Sequence, residues 1–223
     1  MSVNNTSLIL ENKNLSTFEI TENFTCIRFL NQNKERFELE FNLEKGTSFN
    51  TFLIISGDEL FIIHPPEKEY SKLINEVISN FFLQFKFKRI NIITGHVNPK
   101  IIETIKSISL KFSNLAITCS NPGSKLISEL WNQKNPKLET FIEQELPKIN
   151  IVKKELNLEL ENISLKLLPV ATARWPGGLI VYEENQEILL SEKIFSAHLV
   201  SEEWSETNRI STETDRKHFY DCL

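Results

Sequence analysis

The order of the strand-like and helix-like segments constrains the fold of this chain more strongly than any other feature. Four segments between residues 18 and 64 alternate or run apolar, as β-strands do. Residues 67–131 then alternate between helical and strand patterns, and residues 149–191 return to strands. Two groups of consecutive strands around an alternating unit favour two sheets packed face to face with helices outside. The sequence therefore predicts one layered α/β domain over residues 18–223, after a loose polar segment at residues 1–17.

Helical patterns are clearest in the middle of the chain. Residues 67–85 place apolar side chains at helical spacing, and residues 98–112 begin with Asn98 as the cap and a proline in the first turn. A similar Asn-Pro pair opens a predicted helix over residues 121–131, and a further helix is expected over residues 135–145.

A last helix is predicted over residues 205–223, and its end carries Phe219, Tyr220 and Leu223. Nothing in the sequence follows to cover these apolar side chains. We therefore expect either that another chain covers them or that this chain is the front piece of a longer protein.

Composition and charge exclude several classes of function. The net charge of −5 argues against nucleic-acid binding, because phosphate recognition needs a basic surface. Aromatic and basic residues alternate at residues 85–89, but this motif leads into a buried strand and the chain is acidic overall. No apolar run approaches the roughly 18 residues of a membrane span, and the N-terminus lacks the basic start of a signal peptide. The three widely spaced cysteines indicate reduced thiols and a cytoplasmic protein.

Two long cations stand at the ends of predicted buried strands, where loops usually carry a protein's chemistry. Arg174 directly precedes a Trp-Pro-Gly-Gly turn, and Lys193 follows the apolar run at residues 187–191. Strand ends of this kind raise the question of what these positions hold in related sequences.

Four motifs together resemble one known family. They are "GTSFNTFLII" (residues 46–55), "TGHVNPK" (94–100), "RWPGGLIVY…ILLSEKIFSAHL" (174–199) and "RKHFYDCL" (216–223). Their order and approximate spacing resemble the N-terminal metallo-β-lactamase-like domain of the flavodiiron proteins. The terminal "YDCL" is similar to the multidomain class that uses NAD(P)H in cyanobacteria and other oxygenic phototrophs. The resemblance implies an αββα four-layer sandwich that lacks its C-terminal elements.

The resemblance also implies a chemistry and its cofactors. The family reduces dioxygen, or nitric oxide in some members, at a non-haem diiron site that receives electrons from flavin mononucleotide on a flavodoxin-like domain. The six glycines of this chain form no dinucleotide-binding or flavin-binding motif. We therefore expect no flavodoxin-like or flavin-reductase domain and no cofactor bound by this chain, with flavin and iron supplied by missing domains or a partner subunit.

The family's iron ligands are a His-x-Glu-x-Asp-His stretch, a His before Trp-Pro, an Asp nineteen residues beyond that His, and a later His. The first ligand position holds His96, and the final His would fall beyond Leu223. The other ligand positions hold Asn98, Lys100, Ile101, Arg174 and Lys193. Two divalent ions need anionic oxygens to offset their mutual repulsion, so cations at three of these positions predict that no diiron centre forms.

Three cations at former ligand positions need counter-charges. If Lys100, Arg174 and Lys193 converge, one interpretation is an internal salt-bridge network with Glu192 or Glu183. The other interpretation is a pocket that holds a small anion such as chloride, phosphate or bicarbonate.

The remaining candidate residues receive structural or partner roles. The resemblance places Trp175 close to the flavin of a partner subunit, against the alternative of an aromatic that only packs at a strand end. His64 stands where the family usually ends a strand with Asp, and we expect a structural imidazole there. His198 and His218 are also expected to be structural, because no orienting acid accompanies them.

These expectations lead to three hypotheses of function. The first is a structural or partner subunit of an oxygen-reducing flavodiiron system, dimeric with itself or with a subunit whose ligands are intact. The second is a truncated, non-catalytic binding or regulatory module, or a decayed remnant. The third is an active metalloenzyme with other ligands, which four scattered histidines disfavour.

Overall fold

The computed structural model describes residues 14–31, 36–37, 41–42, 47–133, 144–170 and 175–194. The strands are β1 (Leu15–Thr21), β2 (Phe24–Asn31), β3 (Arg36–Phe37), β4 (Phe41–Asn42), β5 (Thr47–Ser56), β6 (Glu59–Ile63), β7 (Arg89–Ile93), β8 (Leu115–Ser120), β9 (Lys148–Val152), β10 (Leu156–Glu159), β11 (Ser164–Pro169), β12 (Leu179–Glu183) and β13 (Ile188–Leu190). The helices are α1 (Ser71–Gln84), α2 (Pro99–Lys111) and α3 (Asn121–Asn132), and a single 3₁₀ turn covers Lys68–Tyr70.

The strands form two main sheets, as the segment order predicts. The larger sheet has seven strands in the order β1-β2-β5-β6-β7-β8-β9, and the smaller has four in the order β10-β11-β12-β13. Strands β6 to β9 are parallel, and the helices α1 and α2 form the crossovers between successive parallel strands. The other pairs in both sheets are antiparallel. The short strands β3 and β4 pair separately as a hairpin.

Strand β6 shows how the layers are held together, because it is buried on both faces. Leu60 and Ile62 belong to the apolar cluster beneath the helices, while Phe61 and Ile63 belong to the cluster between the two sheets. This alternation follows the two-residue period of a strand. The predicted layered α/β arrangement is therefore confirmed.

Helix α2 is capped as predicted, whereas α3 is capped by the residue before its Asn-Pro pair. The Asn98 side chain accepts a hydrogen bond from Ile101 N at 2.8 Å, which caps α2 ahead of its first-turn proline. The cap of α3 is Ser120, whose hydroxyl accepts from Gly123 N at 3.2 Å, and Asn121 is the first helical residue. The Asn-Pro pairs look alike in sequence but stand at different helix positions.

Several predictions need correction, and others concern residues outside the described ranges. Strand β1 begins at Leu15, so the predicted loose segment extends too far along the chain. Strand β10 was not predicted. The helix expected over residues 205–223 lies outside the described residues, and so does the helix expected over residues 135–145, except for Gln144 and Glu145, which are not helical. Within the described residues, no helix has both the length and the apolar character that crossing a bilayer requires.

Candidate functional site

The strand ends of both sheets meet at one edge of the molecule, which we call the site edge. Backbone hydrogen bonds join the two sheets there: Leu179 N donates to Gly95 O at 3.1 Å, and Val97 N donates to Pro176 O at 3.2 Å. A side chain at Gly95 would place its Cβ 2.2 Å from Leu179 O, so only glycine allows this approach. The residue after it, His96, is the predicted remaining ligand.

His96 is a buried, neutral imidazole. Only 6% of the residue is exposed, and its Nδ1 atom has no hydrogen-bond partner among the described residues. Burial and then the charge of Lys193 lower the pKa of His96 to about 4, against a smaller opposing effect of a hydrogen bond to the Pro176 backbone. The ring is therefore uncharged at neutral pH and lies within electrostatic reach of an ammonium group.

Asn98 and Ile101, two of the next three positions of the ligand motif, serve other contacts. The Asn98 oxygen caps α2, and its amide nitrogen donates to Glu67 Oε1 at 3.2 Å. Ile101 is buried in the apolar cluster beneath α2. An Asn98 side chain that turned to a metal would give up the helix cap and the contact with Glu67.

Lys100 binds two carboxylates that the sequence did not single out. Its ammonium lies 3.2 Å from Glu67 Oε2 and 3.0 Å from Glu69 Oε1. Partial burial lowers the pKa of Lys100, but the two carboxylates outweigh that effect and the net pKa is raised. The Glu67 side chain is 10% exposed and the Glu69 side chain 46%, so the pair includes one buried and one solvent-facing acid.

Lys193 and Glu192 line a narrow cleft at the site edge together with Trp175 and Gly95. The ammonium nitrogen of Lys193 is buried. Burial raises the pKa of Glu192 to about 7, although the neighbouring Lys193 lowers it and the more distant Glu67 adds to the rise. The centre of a water molecule can move within about 10 Å³ of the cleft, which is room for about one water.

Two of the three predicted cations have different described partners. Lys100 binds Glu67 and Glu69, whereas Lys193 lies with His96 and Glu192. The third cation, Arg174, lies outside the described residues.

The interpretation that Glu183 supplies a counter-charge to the predicted cations is wrong. This residue is buried at the far end of β12, where its carboxylate accepts from Asn185 N at 3.0 Å and Gln186 N at 2.6 Å. Five residues of strand separate that end of β12 from the site edge, a span of about 14 Å between the first and last Cα. Glu183 therefore stabilises the β12–β13 turn and does not balance charge at the site edge.

Glu67 is the site residue that sequence reasoning missed. It follows a Pro-Pro pair and reads as an ordinary solvent-exposed acid, yet it is 8% exposed. Its partners Asn98 and Lys100 lie 31 and 33 residues further along the chain. No local periodicity carries that information, since the contact depends on how the β6–α1 connection packs on the start of α2.

The expected structural role of His64 is confirmed. It is 2% exposed, and its ring donates from Nε2 to Leu190 O at 3.1 Å, because a carbonyl oxygen can only accept. Burial lowers the pKa of His64 to about 4. The residue adopts a left-handed backbone with φ of 56°. His198 and His218 lie outside the described residues.

The donor chemistry at the site edge can be compared with the needs of two iron ions. Among residues that the structure describes, no group of three or more His, Cys, Asp or Glu side chains is placed to hold a metal ion. The matched positions supply one imidazole, an amide engaged in capping, an isoleucine and two ammonium groups. These described side chains do not fit a diiron centre, because ammonium groups offer no lone pair and repel a dication.

Comparison with known proteins supports the fold and the resemblance. The model of the family described as "ODP family beta lactamase" matches residues 47–220. Diflavin flavoprotein A 5 from Nostoc sp. is 28% identical over 216 residues, which is 95% of this chain and 35% of the relative. Diflavin flavoprotein A 3 from Synechocystis sp. is 27% identical over 97% of this chain and 34% of its own length. The chain thus spans about a third of the length of these curated relatives.

Solved structures show the same architecture. The metal-soaked Flv1 flavodiiron core from Synechocystis sp. has a TM-score of 0.75 and 25% identity, over 94% of this chain and 49% of that one. The rubredoxin oxygen:oxidoreductase from Desulfovibrio gigas has a TM-score of 0.75 at 16% identity, over 92% of this chain and 47% of its own, and therefore shows the fold alone. The chain belongs to the ODP family of β-lactamase-type proteins and has the fold of a flavodiiron core domain.

Proposed function

We propose that this chain is a non-catalytic component of a flavodiiron system for oxygen reduction, in which it serves as a structural or partner subunit. The observation that carries the proposal is the chemistry of the matched ligand positions. Lys193 places a buried ammonium beside His96, and Lys100 is engaged by Glu67 and Glu69. In this proposal the diiron step belongs to another subunit, and this chain keeps the fold without the centre.

Electrostatics supports the absence of a diiron centre. A single positive charge and a dication 4 Å apart repel each other by about 8 kcal/mol at an effective dielectric constant near 20. One neutral imidazole does not offset a repulsion of that size for even one ion, and a second ion would double the demand. Substitution of carboxylate positions by lysine is therefore the change that most directly prevents metal binding.

We infer that the charges at the site edge are balanced from within the protein. The contacts of Lys100 with Glu67 and Glu69 favour the salt-bridge interpretation over the small-anion interpretation, since two carboxylates already satisfy that ammonium. Crystals soaked in bromide should show no anomalous peak between Lys100 and Lys193. A bromide ion bound at that place would instead establish an anion pocket.

The expected partner is a second flavodiiron subunit, either a copy of this chain or a relative with intact ligands. Trp175 lines the cleft at the site edge, which supports a role beside the flavin of a partner, as the family resemblance implies. Cys26 and Cys119 are free buried thiols, which supports a cytoplasmic location. We expect this chain itself to bind no flavin.

Iron analysis tests the proposal. The purified chain, loaded anaerobically with ferrous iron and desalted, should retain less than about one-tenth of an iron per chain. Near-stoichiometric iron would refute the ligand mapping. A matched control restores the family's ligand types with Asn98→Glu, Lys100→Asp, Ile101→His, Arg174→His and Lys193→Asp. Iron uptake by this control would show that the loading procedure works on the same fold.

The second candidate function is a binding or regulatory module, or a remnant without function. Copurification of the tagged chain from its native cells separates the two candidates. Recovery of a flavodiiron subunit in near-equal amount supports the partner role, and recovery of the chain without such a subunit supports the second candidate.

A further inference from the structure

The C-terminal ends of α1 and α2 carry an unusual exposed surface, which we call the helix tip. It comprises Leu83 in the last turn of α1, Lys86 just after that helix, and Leu110 and Lys111 at the end of α2. Leu83 is 85% exposed and Leu110 59% exposed, the two highest values among large hydrophobic side chains in the described ranges. Both leucines therefore project into solvent.

Contacts between the helices make the helix tip one surface. The rings of Phe82 and Phe112 lie 4.7 Å apart, and Lys111 Nζ donates to Ser79 Oγ at 2.6 Å. Ser79 and Leu83 are four residues apart on α1 and so share one face. Lys111 therefore reaches the face of α1 that carries Leu83.

Two lysines, Lys86 and Lys111, lie at the helix ends beside these leucines. Lys88 pairs with Asp58 at 2.5 Å and Arg89 pairs with Glu59 at 3.3 Å, so these two pairs are neutral. Lys86 and Lys111 add two further positive charges to the helix tip, although the whole chain has a net charge of −5. Lys86 belongs to the aromatic-basic motif at residues 85–89, which the proposed function does not use.

We propose that the helix tip binds peripherally to anionic lipid bilayers. Exposed leucines flanked by lysines suit the boundary between head groups and acyl chains, where apolar insertion and attraction to anionic lipid act together. A side chain that is 85% exposed protrudes and does not line a groove, and a fluid bilayer accommodates a protrusion more readily than a rigid protein surface does. This shape favours lipid over an acidic protein as the partner.

The topology gives this contact a definite orientation. Strands β6 and β7 end at the site edge, and the helices that follow them start there and run to the opposite end of the domain. The helix tip and the site edge are therefore at opposite ends. A bilayer bound at the helix tip leaves the cleft beside Trp175 facing away from the lipid and open to a partner subunit.

Vesicle flotation tests the proposal with the full chain. Vesicles of 70% phosphatidylcholine and 30% phosphatidylglycerol should carry the protein, pure phosphatidylcholine vesicles should not, and binding should fall as salt rises from 50 to 500 mM. The double variant Leu83→Gln/Leu110→Gln should bind at least about tenfold more weakly. The double variant Lys86→Gln/Lys111→Gln should bind about 25-fold more weakly, at roughly fivefold for each charge.

A matched control uses the exposed leucines of the smaller sheet, Leu156→Gln/Leu189→Gln, which are 46% and 44% exposed. This control should bind vesicles as the unaltered protein does, and circular dichroism should show that all variants are folded. Absence of binding to anionic vesicles, or equal binding by the Leu83→Gln/Leu110→Gln variant, would overturn the proposal. Binding of the helix tip to polyglutamate without vesicle binding would also overturn it and would indicate an acidic protein partner.

Discussion

Replacing Glu67 by glutamine tests whether the network around Lys100 stabilises the start of α2. The two carboxylate oxygens of Glu67 each accept from a different donor, Asn98 Nδ2 and Lys100 Nζ, both at 3.2 Å. A glutamine side chain has one oxygen and one NH₂ group, so it can satisfy only one of these donors. The other donor then faces an NH₂ group in a buried place.

The magnitude follows from the burial of each partner. A hydrogen bond to a charged group contributes about 1.5–3 kcal/mol when buried, and a donor left without an acceptor costs a similar amount. The Lys100 side chain is 44% exposed and keeps its contact with Glu69, which reduces the cost through solvent screening. We therefore expect Glu67→Gln to lower the free energy of unfolding by about 1–2 kcal/mol.

Glu69→Gln provides the matched control, because Glu69 contacts the same ammonium but is 46% exposed. That variant should lower the free energy of unfolding by no more than about 0.5 kcal/mol. Urea unfolding followed by circular dichroism gives both values, provided the slope with denaturant is unchanged. Equal effects of the two variants would refute the argument that burial of Glu67 gives the network its strength.

Three further perturbations follow from the same contacts. Burial lowers the pKa of His64 to about 4, so between about pH 6.5 and 4 this residue binds a proton in the unfolded chain but not in the folded one. The free energy of unfolding should therefore fall by up to about 3 kcal/mol as the pH drops through that window. The His64→Gln variant should lose less stability over the same range in urea unfolding. Gly95→Ala places a Cβ 2.2 Å from a backbone oxygen and should destabilise the folded protein by about 3 kcal/mol or more. Gly123→Ala places its Cβ 3.2 Å from a hydroxyl oxygen and should cost about 1 kcal/mol or less. Thermal melting compares the stabilities of the two variants. Asn98→Ala removes the cap of α2 and should cost about 1–2 kcal/mol in urea unfolding, with Asn98→Asp retaining the cap interaction.

The larger features of the fold could be predicted because they depend on local pattern. Apolar runs such as residues 59–63 and 89–93 read as buried strands, and the helical spacing of residues 71–84 identified α1. Strand β10 was not predicted because it is an edge strand whose residues are mostly exposed and lie among charged residues. Its alternating leucines therefore gave only a weak strand pattern. Ser120 was not predicted as the cap of α3, because Ser, Asn and Pro in succession allow two positions for the start of a helix.

The candidate site could be predicted in its residues but not in its contacts. Alignment to the motif identified His96, Lys100 and Lys193 by position alone. The counter-charge of Lys100 was not predictable, because Glu67 reaches it through the tertiary packing of the β6–α1 connection on α2. Strand length could have excluded Glu183, since a strand of five residues carries its last side chain far from the edge where it begins.

The contacts at the site edge bear on whether this fold needs a metal centre as a cross-link. A metal ion bound by loops of both sheets would act as a cross-link, but hydrogen bonds already join those loops: Leu179 N to Gly95 O, His64 Nε2 to Leu190 O, and the Ser120 hydroxyl to Gly177 O at 2.9 Å. These contacts connect the strand ends of the two sheets without any iron ligand, and the apolar layer between the sheets lies beneath them. Under the proposed function, replacing the ligands would therefore remove the redox chemistry and leave the shape that a partner subunit needs.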